Sequence, residues 1–193
     1  MNYFDKNIEI IEHAISSINM LEFERLVTSC TNILKNGNKI IASGLGKNVP
    51  ICEKFEGTLL SLGLNAFFLH TNSALHGDLG AVRDGDLVIV LTKSGATEES
   101  IRLVECLKKR AVEIWLITFE EKGFLTKQLA NVIKIRLEHE GDLWNIVPNN
   151  STTINLIVLQ GLAMRIAEEM NLSLDDFKRN HPGGHIGEIL NRE

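Results

Sequence analysis

The chain has 193 residues, 44% of them hydrophobic and 23% charged, a composition that suits one globular domain and excludes an intrinsically disordered protein. Its net charge of −5 argues against a nucleic-acid partner, because proteins that bind nucleic acid carry a basic face. No apolar run reaches the ~18 residues that cross a bilayer, the N-terminus lacks a signal-peptide core, and the three cysteines lack disulfide or zinc spacing, so we expect a cytoplasmic protein with no membrane partner.

Residues 4–35 carry hydrophobic side chains at every third or fourth position, which predicts two amphipathic helices. The second helix should end at Asn36-Gly37-Asn38, since these residues favour turns. Both helices precede the first predicted strand, so we expect them to pack outside the sheet or against a partner. We therefore treat the chain as a single domain, residues 1–193, with N-terminal helices in 1–38 and an α/β core in 39–193.

From residue 39 onward, short apolar runs alternate with helical patterns. Strands are predicted at residues 39–43, 65–69, 86–92, 113–118 and 132–137, and helices at residues 49–62, 98–110, 124–130, 149–170 and 174–179. Apolar strands with helices between them predict a parallel sheet covered on both faces, hence a doubly wound three-layer α/β domain. Ligands of such folds bind beyond the carboxyl ends of the strands, so the loops after the strands are the candidate sites.

The loop SGLGKN, residues 43–48, follows the first predicted strand and opens a helix. Its glycines would let the backbone approach a ligand, and the free N–H groups of a helix start attract anions. The loop is not a dinucleotide fingerprint, since Val49 stands where the third glycine belongs, nor a Walker loop, since Asn48 stands where Ser or Thr belongs. A plain glycine turn and a ligand-binding loop both remain open.

The loop TKSGATEE, residues 92–99, leaves the most β-branched strand and enters an amphipathic helix. Three hydroxyl side chains and a glycine lie at the start of that helix, and hydroxyl donors with backbone N–H groups make a phosphate cradle. Thr97 could instead be an ordinary N-cap followed by acidic residues, but this explains only part of the group. The loop therefore predicts phosphate binding.

Three further groups could transfer protons: His76 in the motif LHGDLG, His181 in the motif HPGGH, and Glu140 in the motif EHE. Each has a plain interpretation as well, as a turn or a solvated charge run. We do not expect His181 and His185 to bind a metal, because the Pro-Gly-Gly between them makes a shared helix improbable. A glutamate buried in a closed polar site would have a raised pKa and could serve as a base.

No nucleophile motif is present, and no metal-ligand set has convincing spacing. What remains is a pair of phosphate-binding loops together with histidine, glutamate and lysine. That combination suits moving a proton next to a carbonyl, which is aldose–ketose isomerisation.

The motifs SGLGKN, HGDLG, TKSGATEE, PNNSTT and HPGG, in this order, resemble the sugar isomerase (SIS) domain family in its arabinose-5-phosphate isomerase branch, from about residue 39 to residue 190. The resemblance implies a five-stranded parallel sheet with helices on both sides, and a homotetramer with active sites between subunits. It implies interconversion of ribulose 5-phosphate and arabinose 5-phosphate through an enediol(ate), with no metal and no organic cofactor.

The resemblance also assigns residues by motif position. Substrate and phosphate binding fall on Ser43, Gly44, Gly46, Asn48, Thr92, Lys93, Ser94, Gly95 and Thr97. Catalysis falls on Lys47, His76, Glu99, Glu140 and His181. We assign the base to His181 or Glu140, with His181 favoured, and stabilisation of the oxyanion to Lys47. His76 or Glu99 would move the hydroxyl proton or assist ring opening.

The chain departs from this pattern in several places. The family's GKSG reads GKNV, its SGES reads SGAT with Ala96 for the glutamate, and its HPGGALG reads HPGGHIG. Longer members continue into a CBS pair, and we expect that regulation to be absent. Two alternatives stay open: another phosphosugar isomerase, for example one acting on 3-hexulose 6-phosphate, or a non-catalytic sugar-phosphate-sensing module. The five matched catalytic residue types and the lack of a recognisable helix-turn-helix favour an enzyme.

Overall fold

The sheet of the computed structural model, which describes residues 2–190, has five parallel strands. They are β1 (Ile40–Gly44), β2 (Ala66–His70), β3 (Leu87–Thr92), β4 (Glu113–Thr118) and β5 (Val132–Lys134). Their spatial order is β2-β1-β3-β4-β5, which confirms the predicted doubly wound α/β domain. The fifth strand is three residues shorter than predicted, although the N–H of Ile135 still donates to the carbonyl of Thr118.

The described residues contain nine helices and two short 3-10 turns, Gly46–Asn48 and Asp78–Ala81. The helices are α1 (Tyr3–Ser16), α2 (Met20–Lys35), α3 (Val49–Ser61), α4 (Thr71–Ala74), α5 (Glu98–Leu107), α6 (Phe124–Gln128), α7 (Asn150–Glu169), α8 (Leu174–Arg179) and α9 (Gly184–Leu190). The short helices α4 and α9 were not predicted. Within residues 2–190 no helix has both the length and the apolar character that crossing a bilayer requires.

Two hydrophobic layers cover the sheet, because successive side chains of a buried strand point to opposite faces. In β3, Leu87, Ile89 and Leu91 pack against α2, α3 and α7, whereas Val88 and Val90 pack against α4, α5 and α6. The second N-terminal helix therefore belongs to the domain core and does not lie outside the sheet, as its buried Leu26 and Cys30 show.

The parallel register gathers the strand ends at one edge. Gly44 of β1 pairs with His70 of β2 and with Leu91 of β3, and Thr92 pairs with Thr118 of β4. The loops that follow these strands therefore emerge side by side, where the sequence places its candidate motifs.

Candidate functional site

A cleft of about 240 Å³ lies at this edge of the sheet, and α3, α5 and α7 all begin at its wall. The lining residues come from the end of β3, from the loops after β1, β3, β4 and β5, and from the first two turns of α5 and α7. They are Leu45, Gly46, Lys47, Asn48, Leu91, Thr92, Lys93, Thr97, Ser100, Phe119, Pro148, Ser151, Thr152 and Asn155.

Two of the three helices start at the cleft without a side-chain cap. Thr97 occupies the N-cap position of α5 and Asn48 that of α3, yet neither side chain accepts a bond from its helix. By contrast, Asn19 caps α2 and Ser173 caps α8. At α3 the first two backbone nitrogens offer no free N–H group, because one donates to the carbonyl of Gly46 and the other belongs to Pro50, so this helix contributes only the positive end of its dipole. At α5 the first-turn N–H groups have no side-chain acceptor, and a helix start of this kind favours an anion.

The hydroxyl loop after β3 is a tight turn held by its own side chains. Thr92 accepts a hydrogen bond from the N–H of Gly95 at 3.2 Å, and Ser94 accepts one from the N–H of Ala96 at 3.2 Å. Gly95 has φ +60°, a conformation that favours glycine. Thr92, Lys93 and Thr97 line the cleft, whereas Ser94 and Gly95 belong to the turn and do not line it.

In the glycine loop after β1, the first residues are buried in the domain and the last residues face the cleft. Ser43 is fully buried, and its hydroxyl lies 2.9 Å from that of Thr71. At Gly44 a Cβ would stand 2.8 Å from the Cβ of Asn48, so glycine lets α3 approach β1. Ser43 and Gly44 thus lie behind the cleft wall and their contact with substrate stays a prediction, whereas Gly46 to Asn48 line the cleft.

Glu140 has no exposed surface; one carboxylate oxygen has an ion-pair partner without hydrogen-bond geometry, and the other accepts two hydrogen bonds. Oε1 lies 2.5 Å from Nζ of Lys93, and Oε2 accepts the N–H groups of Ser151 at 2.9 Å and Asn149 at 3.1 Å. Burial raises the pKa of Glu140, but the bonds from Lys93, Ser151 and Asn149 outweigh it and hold the pKa below its ordinary value. The sequence-based expectation of a raised pKa was wrong, because it omitted these donors.

The other predicted catalytic side chains lie outside the cleft. His76 is exposed after α4, where its N–H donates to the carbonyl of Ser73, and Glu99 is half-buried in the first turn of α5. His181 binds Ser61, the last residue of α3, with 3.1 Å between its Nε2 and the hydroxyl oxygen. Because α3 begins at the cleft and extends about 18 Å at 1.5 Å per residue, His181 lies at the far end from its own chain's cleft.

The structure adds polar residues that motif reasoning missed. Ser100 and Asn155 lie within helices, where nothing in the sequence set them apart from core positions, whereas the PNNSTT motif contained Ser151 and Thr152. The side-chain amide of Asn155 donates to Oδ1 of Asn48 at 3.0 Å. Its own Oδ1 is buried and has no hydrogen-bond partner in the described part of the chain, a state that costs about 1–3 kcal/mol unless a ligand or water supplies a donor.

Residues 33–165 match the model of the SIS domain. Over 151 residues the chain is 35% identical to arabinose 5-phosphate isomerase KpsF of Escherichia coli, covering 78% of this chain and 48% of that protein. It is 31% identical to arabinose 5-phosphate isomerase KdsD of Francisella tularensis subsp. tularensis over 190 residues, covering 97% of this chain and 57% of that protein. The chain spans about half the length of the curated relatives it matches.

Among solved structures, the fold is similar to that of a protein from E. coli CFT073 in complex with arabinose 5-phosphate. The TM-score is 0.86 at 28% identity, and the match covers 93% of this chain and 94% of the other. The similarity therefore extends well beyond the matched family model, to nearly the whole described chain.

The buried carboxylate of Glu140 predicts a pH dependence of stability. Because its folded pKa lies below the ordinary value of 4.5, the ionised form stabilises the fold above about pH 4.5, and this contribution is lost as the pH falls through the folded pKa. Glu140→Gln should therefore melt well below the wild type at pH 7, and the difference should shrink towards pH 3. Thermal melts at pH 7, 5, 4 and 3 measure this difference. Glu98→Gln, which changes an exposed glutamate, is the control. A difference in melting temperature between the wild type and Glu140→Gln that stays constant from pH 7 to pH 3 would contradict a lowered pKa of Glu140.

Proposed function

This chain belongs to the SIS domain family, and on that premise we propose that it interconverts the aldose and ketose forms of a sugar phosphate. One observation carries the proposal: the uncapped start of α5 and the positive dipole end of α3 converge on a cleft that two lysines, Lys47 and Lys93, also line. Helix N-termini and ammonium groups together favour a multiply charged anion such as a phosphate monoester.

The phosphate occupies the start of α5 in this proposal. The hydroxyl of Thr97 points to the same role, because it lines the cleft and makes no capping bond that it would have to give up. Ser94 would join by turning its hydroxyl from the N–H of Ala96 to a phosphate oxygen.

The remainder of the cleft suits a polyhydroxylated chain. Ser100, Ser151 and Thr152 bring three hydroxyls to its wall, and Asn155 brings the buried carboxamide oxygen that lacks a donor. A sugar hydroxyl can supply that donor, and pairing it would remove the cost of the unsatisfied oxygen. A bare alkyl phosphate would leave these groups unpaired.

The reaction follows from anchoring the phosphate. The anchored, open-chain sugar presents its first two carbons to the polar wall, and a base removes the C2 proton to form an enediol(ate) that is reprotonated at C1. Lys47 is the cleft-lining group that can stabilise the developing oxyanion. His181 remains the favoured base, but it would have to come from a second copy of the chain. His76 and Glu99 also lie outside the cleft. Their proposed roles in proton transfer therefore require that the bound substrate or a second copy of the chain brings the reacting atoms within their reach.

We propose a homo-oligomer, a tetramer by family resemblance, in which each cleft is completed by a neighbouring subunit. The distance of His181 from the cleft supports this arrangement. Within a single chain, the proposed phosphate-binding residues lie at the start of α3 and His181 lies at its end. We also include α1 and α2 in the catalytic domain, residues 1–193, because α2 packs on the sheet that carries the cleft.

Arabinose 5-phosphate and ribulose 5-phosphate are the proposed substrate pair, in a cytoplasmic setting. The relatives KpsF and KdsD are arabinose 5-phosphate isomerases, which supports this choice over 3-hexulose 6-phosphate. A panel assay tests it: the protein should interconvert the two pentose phosphates faster than hexulose, hexose or amino-sugar phosphates. Turnover confined to 3-hexulose 6-phosphate would replace the substrate, and tight binding without turnover across the panel would support the sensing alternative.

Thr97→Val removes the uncapped hydroxyl and keeps the side chain's shape. We expect the KM for the sugar phosphate to rise roughly tenfold, or about 1.4 kcal/mol, since a hydrogen bond to a charged phosphate is lost, while kcat changes less. Thr153→Val is the matched control, because Thr153 lies on α7 and does not line the cleft. Equal KM values for the Thr97 variant and the wild type would remove Thr97 from the cradle.

His181→Ala should lower kcat by about 10²–10⁴-fold if this histidine is the base. If it acts on a neighbour's cleft, co-expressing His181→Ala with Lys47→Ala should restore activity that neither variant has alone, because mixed oligomers contain some sites with both native groups. Steady-state rates of the purified mixtures measure the restoration. Mixed oligomers as inactive as their parents would rule out a site shared in this way.

A further inference from the structure

The ion pair between Glu140 and Lys93 joins a buried carboxylate to a lysine at the mouth of the cleft. Glu140 is fully buried, while 46% of the Lys93 side chain is exposed, and 2.5 Å separates Oε1 from Nζ. Lys93 lines the cleft, whereas Glu140 does not. The pair thus connects the core to the surface that would meet the ligand.

We propose that Glu140 is a positioning residue, which holds the ammonium of Lys93 over the cleft so that Lys93 binds the phosphate of the substrate. That the ligand is the phosphate of a sugar rests on the proposed function, whereas the geometry of the ion pair does not depend on it. The positioning role differs from the family-based assignment of Glu140 as a catalytic base.

The bonding of Glu140 leaves it poorly suited to proton abstraction. Oε2 accepts the N–H groups of Asn149 and Ser151, which open α7, and Oε1 faces the Lys93 ammonium. A base needs a lone pair within hydrogen-bond reach of the proton that it removes. Each oxygen of Glu140 is instead directed at a group of its own chain, and neither belongs to the cleft wall.

Lys93, by contrast, has donors to spare. An ammonium carries three N–H groups, and one of them suffices for Glu140. The backbone of Lys93 is also held, since its carbonyl accepts bonds from the hydroxyl of Thr118 and the N–H of Phe119, each at 3.2 Å. With both ends of this long side chain restrained, less rotamer entropy is lost when the remaining donors bind a phosphate oxygen.

Glu140 is itself fixed by a rigid polar network. Its N–H donates to Oδ1 of Asn145 at 2.8 Å, and its carbonyl accepts the N–H of Asn150 at 3.1 Å. The side-chain amide of Asn150 in turn donates to Oδ1 of Asn7 in α1 at 2.9 Å. A Cβ at the neighbouring Gly141 would lie 1.8 Å from that same Asn7 oxygen, so Asn7 packs directly against the backbone beside Glu140. Such a support suits a fixed anchor for a flexible lysine.

A double-mutant cycle tests the proposal with Lys93→Met, Glu140→Gln and the combined variant. The first readout is the affinity for inorganic phosphate, from calorimetry and from the phosphate-induced rise in melting temperature. We expect Lys93→Met to weaken phosphate binding at least tenfold and Glu140→Gln to weaken it severalfold. Glu140→Gln should add less than twofold in the Lys93→Met background, because it acts through Lys93. Lys109→Met, which changes an exposed lysine just beyond the far end of α5, is the matched control and should bind phosphate like the wild type.

The second readout is the split between KM and kcat for the sugar phosphate. A positioning role predicts that Glu140→Gln raises KM and lowers kcat less than tenfold, whereas loss of a general base costs about 10²–10⁴-fold in kcat. Additive effects of the two substitutions, or a kcat loss of that size with wild-type phosphate affinity, would overturn the proposal.

Lys93→Arg keeps the positive charge and should retain phosphate affinity within threefold, even if Lys93→Met fails to fold around the unpaired carboxylate. If Lys93→Arg lost as much phosphate affinity as Lys93→Met, this would contradict a contact between the positive charge at position 93 and the phosphate. The measurement of phosphate affinity does not depend on enzymatic turnover. A wild type that isomerises none of the sugar phosphates in the panel would therefore contradict the proposed function, while the binding data would still test this inference.

Discussion

The carboxylate of Glu140 links three parts of the chain that are distant in sequence. It follows β5, it accepts the first free N–H groups of α7, and it binds the lysine that leaves β3. A buried charge is stable only when it is paired and hydrogen-bonded, so the carboxylate requires both partners to stay in place. The wall of the cleft between the β3 loop and α7 depends on this one group.

The same principle keeps the negative charge of Glu140 from opposing the proposed anion binding, although the cleft lies next to this carboxylate. The start of α7 is satisfied by Glu140, whereas the starts of α3 and α5 have no side-chain cap. The first N–H groups of α7 and the ammonium of Lys93 neutralise the charge of Glu140. The cleft itself is lined by Lys47 and Lys93 and faces the positive dipole ends of α3 and α5. Geometry thus separates a negative support from a positive binding surface.

The position of His181 shows that one chain does not hold every proposed group in one place. Its ring stacks on Phe177 and binds Ser61, beyond the end of α3 that is remote from the cleft. A base at that location can serve a substrate in the cleft only if subunits pack so that the end of one α3 meets the start of another. In the proposed function, phosphate anchoring would thus depend on the tertiary structure of one chain, whereas proton transfer would depend on the assembly of several chains.

The sequence by itself determined the helices and strands and indicated the edge of the sheet where the candidate cleft lies. Alternation and helical spacing are local properties, so five strands and most helices could be predicted from their hydrophobic periods, and the loop motifs followed from the rule for parallel sheets. Motif order sufficed for the SIS domain, which the match to residues 33–165 confirms. Only the tertiary structure decided that Ser43 and Gly44 pack behind the cleft, that Asn155 presents an unpaired oxygen, and that the pKa of Glu140 is lowered. These features depend on contacts between residues far apart in the chain, such as Lys93 with Glu140, and a one-dimensional pattern carries no distance between them.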